Sequence, residues 1–226
     1  EDGIRDSSVT GVQTCALPIC TLAKQQRLGA LRLATLRHTD YDTAWLDGPA
    51  ALRLWEEAAK LALPVCVIGY VRHLPSNLPA IGRLAERFPE LPIVVDHLGL
   101  PHAPVAFLPI VSEGRPLPPP GPPGYGFSPP LLALREHRNV HFKLTGLNLE
   151  YLAHANVDAA ALMRRFVAEF GAERVMCGTD IGQTRGPYAR IVRELRAALA
   201  LLTDAERAAV LSGTASHVFG SSPEAT

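Results

Sequence analysis

Short apolar runs, typical of buried strands, alternate along the chain with stretches in which apolar residues recur every three or four positions. The second spacing is that of an amphipathic helix, whose apolar face packs on a core. The predicted strands are Leu28–Leu33, Leu63–Ile68, Pro92–Asp96, Val140–Leu144 and Arg174–Cys177. The predicted helices are Trp45–Lys60, Leu78–Phe88, Leu131–His137, Val157–Phe170, Tyr188–Leu202 and Thr203–Leu211.

This order of elements predicts an α/β protein with a parallel sheet, because parallel strands need helical crossovers between them. The five predicted strands fit two architectures, an open doubly wound sheet or part of a barrel. Neither a GxGxxG nor a GxxxxGK motif follows any of the strands, so the sequence gives no support to a nucleotide-binding fold.

Three segments stand apart from this pattern. Residues 1–20 show neither periodicity nor the features of a signal peptide, and the run EDGIRDSSVTGVQTCALPI resembles a translated sequencing adapter. We therefore interpret 1–20 as a non-native leader, 21–220 as the folded unit and 221–226 as a tail. The stretch Pro101–Pro130 is rich in proline and glycine and predicts a loop, either a lid or binding segment or a tolerated surface insertion.

The charge balance narrows the choice of partners. Lys plus Arg and Asp plus Glu both number 22, which gives no reason to expect a nucleic acid or a membrane surface. A small-molecule substrate is the expected partner. The four cysteines, Cys15, Cys20, Cys66 and Cys177, form no CxxC pair and match no zinc-finger spacing. Their use predicts a reducing, cytoplasmic location.

Charged and polar groups lie at or just after the ends of four predicted strands. They are Arg32, followed by Arg37 and His38; Asp96 with His97; Lys143 with Thr145; and Asp180. In parallel α/β folds the reactive groups gather beyond the carboxyl ends of the strands. An ionised carboxylate next to an apolar strand is costly unless it is paired or functional. The recurrence of such groups predicts one shared site.

Four segments carry a family resemblance. VVDHLGLP at 94–101, HFKLTGLN at 141–148, RVMCGTDIG at 174–182 and LSGTASHVFG at 211–220 resemble segments of the amidohydrolase-related family. That family consists of metal-dependent-hydrolase-type (β/α)8 TIM barrels, and it includes lactonases acting on sugar lactones and pyrone dicarboxylate, and some decarboxylases. The resemblance implies that the chain forms the C-terminal part of such a barrel, about strands four to eight, with the earlier strands missing.

The resemblance also implies roles for individual residues. His97 would ligate a metal or polarise a substrate carbonyl, and Asp180 would ligate a metal and take a proton from the attacking water. Arg32 and Arg37 would hold a substrate carboxylate or lactone oxygen, for which arginine is suited by its paired donors. Lys143 is a third candidate for substrate binding.

The cofactor implied by the resemblance is a divalent metal, zinc, with His97 and Asp180 as its ligands. The chain departs from the family here. The HxH motif of the first family strand is absent, and Ile68, Gly69 and Tyr70 stand where metal-binding relatives supply a strand-five histidine. Since the lactonase branch includes members without tightly bound metal, zinc remains an open expectation.

The sequence thus predicts a hydrolase that adds an activated water to a lactone or similar carbonyl of a small, carboxylated substrate. A zinc-dependent decarboxylase on the same fold is the alternative within enzymes. A third interpretation is an inactive fragment, whose unpaired strand edges would favour aggregation or a homo-oligomer.

Overall fold

A computed structural model describes residues 29–34, 43–69, 73–100 and 121–220 of the chain. The predicted leader, the tail and most of the proline-rich stretch lie outside these ranges, as do Arg37 and His38. The strands are β1 (Leu31–Ala34), β2 (Val65–Ile68), β3 (Ile93–Val95), β4 (Val140–Thr145) and β5 (Val175–Gly178).

The sheet distinguishes between the two predicted architectures. All four pairings are parallel, and each strand lies beside the next one along the chain, in the order β1-β2-β3-β4-β5. A doubly wound sheet reverses its direction of growth partway, whereas a barrel adds every new strand beside the previous one. The α/β class is therefore confirmed, and the order is that of an arc of a barrel.

The two faces of the sheet have different surroundings. Because side chains alternate along a strand, the register assigns each residue to one face. Residues such as Leu33, Val67 and Phe142 belong to the large core between the sheet and its helices. The opposite face, here called the inner face, carries a smaller cluster that consists of Cys66, Val94, Met176 and Val218. In a closed barrel this inner face lines the interior.

The helices among the described residues are α1 (Ala44–Asp47), α2 (Pro49–Lys60), α3 (Leu74–Arg87), α4 (Pro129–Ala133), α5 (Gly146–His154), α6 (Ala159–Phe170), α7 (Tyr188–Ala197), α8 (Asp204–Ala208) and α9 (Thr214–Phe219). Short 3-10 turns occupy Asp96–Gly99, Leu134–Glu136 and Ala172–Arg174, and a π-helical turn occupies Ala209–Gly213. None of these helices combines the length and apolar character needed to cross a bilayer.

Helix boundaries differ from the sequence prediction where proline and glycine act locally. The predicted helix Trp45–Lys60 is divided into α1 and α2, since Gly48 has an extended backbone. Helix α3 begins four residues before the predicted start at Leu78, because Pro75 fits the first turn, where its missing N–H costs no hydrogen bond.

Helix α5 was missed by the sequence analysis. Six of its nine residues are buried, so apolar residues surround the helix instead of forming one stripe. Its start is a capping box in which Thr145 and Asn148 bond reciprocally. The familiar capping-box pattern has Glu or Gln at the fourth position, and here Asn148 takes that place.

Arg174, buried directly before β5, binds two other segments of backbone. Its guanidinium donates hydrogen bonds of 2.8–3.0 Å to the carbonyl oxygens of Leu134, Arg135 and Val140. It also lies over the rings of Phe142 and Phe170, 5.7 and 5.8 Å from their centroids. Burial lowers its pKa to about 10, still far above neutral pH, so the side chain remains charged.

We expect Arg174→Met to lower the free energy of unfolding by about 3 kcal/mol or more, because three backbone carbonyls lose their hydrogen bond to the guanidinium. Urea denaturation of the purified protein measures this loss. Arg164→Met is the matched control. Arg164 pairs with Glu206 on the exposed surface, and its loss should cost less than about 1 kcal/mol. Equal effects of the two substitutions would contradict the role given to Arg174.

Candidate active site

Polar side chains gather at the carboxyl edge of the sheet, as the sequence predicts. Arg32 in β1 and Lys143 in β4 both lie on the inner face, since the register aligns Arg32 with Cys66 and Lys143 with Met176. Asp96 directly follows β3, and Asp180 follows β5 by two residues. The four side chains come from four different strands or strand ends, so the sheet itself fixes their spacing.

Asp96 holds the two cations. Arg32 Nε donates to Asp96 Oδ2 at 2.9 Å, and Arg32 Nη2 lies 2.8 Å from the same oxygen. Lys143 Nζ donates to Asp96 Oδ1 at 2.7 Å. The Asp96 side chain is only 1% exposed, whereas that of Arg32 is 54% exposed. One buried carboxylate therefore anchors two cations, one of which still reaches solvent.

Gly178 gives Lys143 the space for this contact. A Cβ atom at position 178 would lie 3.1 Å from Lys143 Cδ, a tight contact that would require the lysine side chain to shift by a few tenths of an ångström. The absence of a side chain at the end of β5 thus lets the lysine extend toward Asp96. Sequence reasoning recognised the GTD segment but not this reason for its glycine.

His97 lies in an unusual backbone turn at the end of β3. His97 and Leu98 have φ values of 56° and 58°, and Gly99 has a φ of 62°. Left-handed backbone costs about 1–2 kcal/mol for a residue with a Cβ atom, so other contacts must hold this turn. The His97 carbonyl accepts a hydrogen bond of 3.0 Å from Asn148 Nδ2, and His97 Nδ1 lies 2.7 Å from Thr145 Oγ1.

Asp180 also has a left-handed backbone, with φ of 50°. Its carbonyl accepts hydrogen bonds from the backbone N–H groups of Gln183 and Thr184 at 3.1 and 2.9 Å. The Thr184 hydroxyl donates to the Thr179 carbonyl and packs on Gly146, where a Cβ atom would collide with it. This tight turn fixes Asp180 at the end of β5.

Burial and nearby charges together raise the pKa of the Asp180 carboxyl. Burial raises the pKa of its carboxyl above the usual value of 3.8, and the Asp96 carboxylate raises it further. Arg32 and Lys143 act in the opposite direction and lower it. Asp180 therefore lies within electrostatic reach of the Arg32–Asp96–Lys143 group, which we call the charge cluster.

Cys66 lies on the inner face beside the charge cluster. Burial raises the pKa of its thiol to about 11, and the nearby Asp96 adds to this effect while Lys143 and Arg32 oppose it. A thiol with such a pKa stays protonated at neutral pH, so Cys66 is a poor nucleophile. It packs with Val94, Met176 and Val218, in agreement with the predicted role as a small buried apolar residue.

The structure thus brings four of the five predicted site residues to one edge: Arg32, His97, Lys143 and Asp180. The fifth, Arg37, lies outside the described residues. Thr145 and Asn148 were not predicted as partners of His97. Their T-x-x-N spacing at the end of a strand was the available signal. Within the described ranges, no three His, Cys, Asp or Glu side chains group as metal ligands would.

Comparisons with known proteins bear on the family and the fold of the chain. A family model described as amidohydrolase matches residues 19–221. The L-fucono-1,5-lactonase of Burkholderia ambifaria is 29% identical over 163 residues, which cover 72% of this chain and 49% of the relative. The chain therefore spans about half the length of this curated relative.

Two solved structures are similar in fold. An amidohydrolase from Burkholderia multivorans with bound zinc has a TM-score of 0.60 at 20% identity, covering 88% of this chain and 69% of its own. A putative 2-pyrone-4,6-dicarboxylic acid hydrolase from Pseudomonas putida has a TM-score of 0.61 at 23% identity, covering 96% and 77%. At these identities the likeness shows the fold, and with the family match it shows that the chain belongs to the amidohydrolase family of enzymes.

Proposed function

We propose that this protein is a hydrolase that adds water to a lactone or similar carbonyl of a small, carboxylated substrate. The observation that carries the proposal is the charge cluster with Asp180 beside it at the carboxyl edge of the sheet. Two cations and a separate carboxylate are the groups that such a hydrolysis needs. The lactonase activity named for the B. ambifaria relative supports the same reaction class.

Asp180 serves as the general base in this proposal. Its ionised carboxylate takes a proton from water as the water oxygen attacks the carbonyl carbon, and it returns that proton to the leaving ring oxygen when the C–O bond breaks. Burial raises the pKa of Asp180, which makes the carboxylate a stronger base than an exposed aspartate. The products are the open-chain hydroxy acid and the regenerated enzyme.

Arg32 and Lys143 supply the positive charge. Negative charge develops on the carbonyl oxygen during attack, and fixed cations stabilise it without reorganising at the moment of reaction. Arg32 is the better candidate for a substrate carboxylate, since its exposed guanidinium has further donors besides those bonded to Asp96. Lys143 is more enclosed, which favours the oxyanion.

The zinc implied by the family resemblance does not fit the described residues. Asp96 already binds two cations, and their charges together with those of Asp96 and Asp180 sum to zero without a metal. A divalent ion would have to displace Arg32 and Lys143 or lie beside them against their repulsion. His97 and Asp180 have no third His, Cys, Asp or Glu ligand grouped with them in the described part of the chain.

The other two interpretations are separable by experiment. A zinc-dependent decarboxylase requires a fuller ligand set, so stoichiometric zinc in the purified protein together with release of carbon dioxide from carboxylic acids would favour it over the hydrolase. An inactive fragment would open no lactone at all. Assays of the purified chain with a panel of sugar-acid and carboxylated lactones address both alternatives.

We expect Asp180→Asn to lower kcat for lactone opening by about 100- to 10,000-fold, because the amide cannot take a proton from water. The reaction is followed by acid release at constant pH, and thermal unfolding checks that the variant remains folded. Asp158→Asn is the matched control. Asp158 caps helix α6, and asparagine caps as well, so activity should be unchanged. A kcat for Asp180→Asn near that of the unsubstituted protein would show that Asp180 is not the general base.

The acidic limb of the pH profile of kcat/KM gives an independent check. Asp180 accepts a proton only when ionised, so activity falls as the pH drops through its raised pKa. Lys143 lowers that pKa, and its removal in Lys143→Met should raise it. The limb should therefore move to higher pH, in addition to a general loss of rate.

Lys60→Met serves as the control for this shift. Lys60 pairs with Glu57 on the exposed surface of α2, and its loss should leave the limb in place. A limb that moves to lower pH in Lys143→Met, or does not move, would contradict the coupling between Lys143 and Asp180.

A further inference from the structure

We infer that Thr145 and Asn148 fix the tautomer of His97, so that its neutral ring carries hydrogen on Nδ1 and accepts hydrogen bonds at Nε2. The inference rests on the proposed function for its catalytic meaning. The structural evidence for it is a series of hydrogen bonds from Asn148 to Thr145 and from Thr145 to His97, in which each side chain determines the orientation of the next.

Asn148 comes first, because two backbone groups fix its amide. Its Oδ1 accepts the backbone N–H of Thr145 at 3.0 Å, and its Nδ2 donates to the backbone carbonyl of His97 at 3.0 Å. A backbone N–H can only donate and a carbonyl can only accept. The reversed amide would therefore place donor against donor and acceptor against acceptor.

The orientation of Asn148 then fixes the hydroxyl of Thr145. Thr145 Oγ1 lies 3.3 Å from Asn148 Oδ1, which has no hydrogen to offer. The hydrogen bond between these two oxygens can use only the hydroxyl hydrogen, so Thr145 Oγ1 donates to Oδ1 and presents lone pairs in other directions. All three residues are buried, and Thr145 and Asn148 are 2% exposed, so these bonds are shielded from bulk solvent.

The hydroxyl of Thr145 finally fixes His97. His97 Nδ1 lies 2.7 Å from Thr145 Oγ1, a distance that requires one hydrogen between the two atoms. Since the Thr145 hydrogen is engaged with Asn148, the hydrogen comes from Nδ1. The neutral imidazole then has its remaining lone pair on Nε2.

This tautomer limits what His97 can do in catalysis. A neutral ring with hydrogen on Nδ1 cannot donate from Nε2 to a carbonyl oxygen, which was one of the roles implied by the family resemblance. Nε2 instead accepts a hydrogen bond or a proton from an O–H group. Stabilisation of the oxyanion is thereby left to Arg32 and Lys143, and Thr145 and Asn148 become positioning residues.

The strained turn of His97 agrees with a positioning role. The Asn148 amide that orients Thr145 also holds the His97 carbonyl, at the point where two residues with side chains adopt left-handed backbone. Strain of this kind persists only where surrounding contacts enforce it, and it is concentrated at functional sites. One side chain thus controls both the backbone and the ring of His97.

Nitrogen-15 NMR of histidine-labelled protein at pH 8 tests the inference, because long-range ring couplings distinguish the two neutral tautomers. A His97→Gln variant identifies the His97 signals by their disappearance. The expected wild-type pattern has hydrogen on Nδ1. A wild-type pattern with hydrogen on Nε2 would overturn the inference without any variant.

Three variants test the chain of contacts. Thr145→Ser keeps the hydroxyl oxygen and should retain the wild-type pattern. Thr145→Val removes the acceptor, and Asn148→Ala frees the Thr145 hydrogen to point toward Nδ1. Both should shift His97 toward hydrogen on Nε2, although Asn148 does not touch the ring. A retained wild-type pattern in Thr145→Val and Asn148→Ala would show that these residues do not set the tautomer.

These spectra separate the two proposals. If the protein opens no lactone but His97 carries hydrogen on Nδ1, the proposed hydrolase function is wrong and the roles of Thr145 and Asn148 are supported. If the protein opens lactones but His97 carries hydrogen on Nε2, the hydrolase function is supported and the roles of Thr145 and Asn148 are wrong.

Discussion

The buried carboxylate of Asp96 is the interaction on which the site depends. It binds Arg32 from β1 and Lys143 from β4, and so connects three strands across the inner face of the sheet. Removing one partner from a buried ion pair costs about 3–5 kcal/mol, because the remaining charge is left uncompensated. The same bonds that align the strands therefore hold the cations in place for a substrate.

The residues of the site have different roles in this arrangement. Arg32 and Lys143 provide fixed positive charge, Asp180 provides a carboxylate whose pKa is raised by burial, and His97 is held by Asn148. Each group lies in, or shortly after, a different strand, so the parallel sheet brings them together although they are distant in sequence. Tight turns at His97 and Asp180, both with left-handed backbone, direct the chain back at this edge.

Much of the fold could be predicted from sequence because the strands are short apolar runs and the helices α2, α6 and α7 are amphipathic. The same reasoning missed α5, which is buried nearly all round. Strand ends located Arg32, His97, Lys143 and Asp180, but the contacts among them depend on the register between strands, which a sequence pattern does not contain. The role of Gly178 and the bonds from Asn148 to Thr145 and His97 depend on the same three-dimensional arrangement.

A crystal structure of the protein with an unreactive lactam analogue of a carboxylated lactone would show whether the charge cluster and Asp180 bind the reacting carbonyl. We expect the lactam carbonyl oxygen in hydrogen-bond contact with Lys143 or Arg32, with the Asp180 carboxylate facing the carbonyl carbon. An analogue bound elsewhere on the molecule, with the charge cluster untouched, would contradict this expectation.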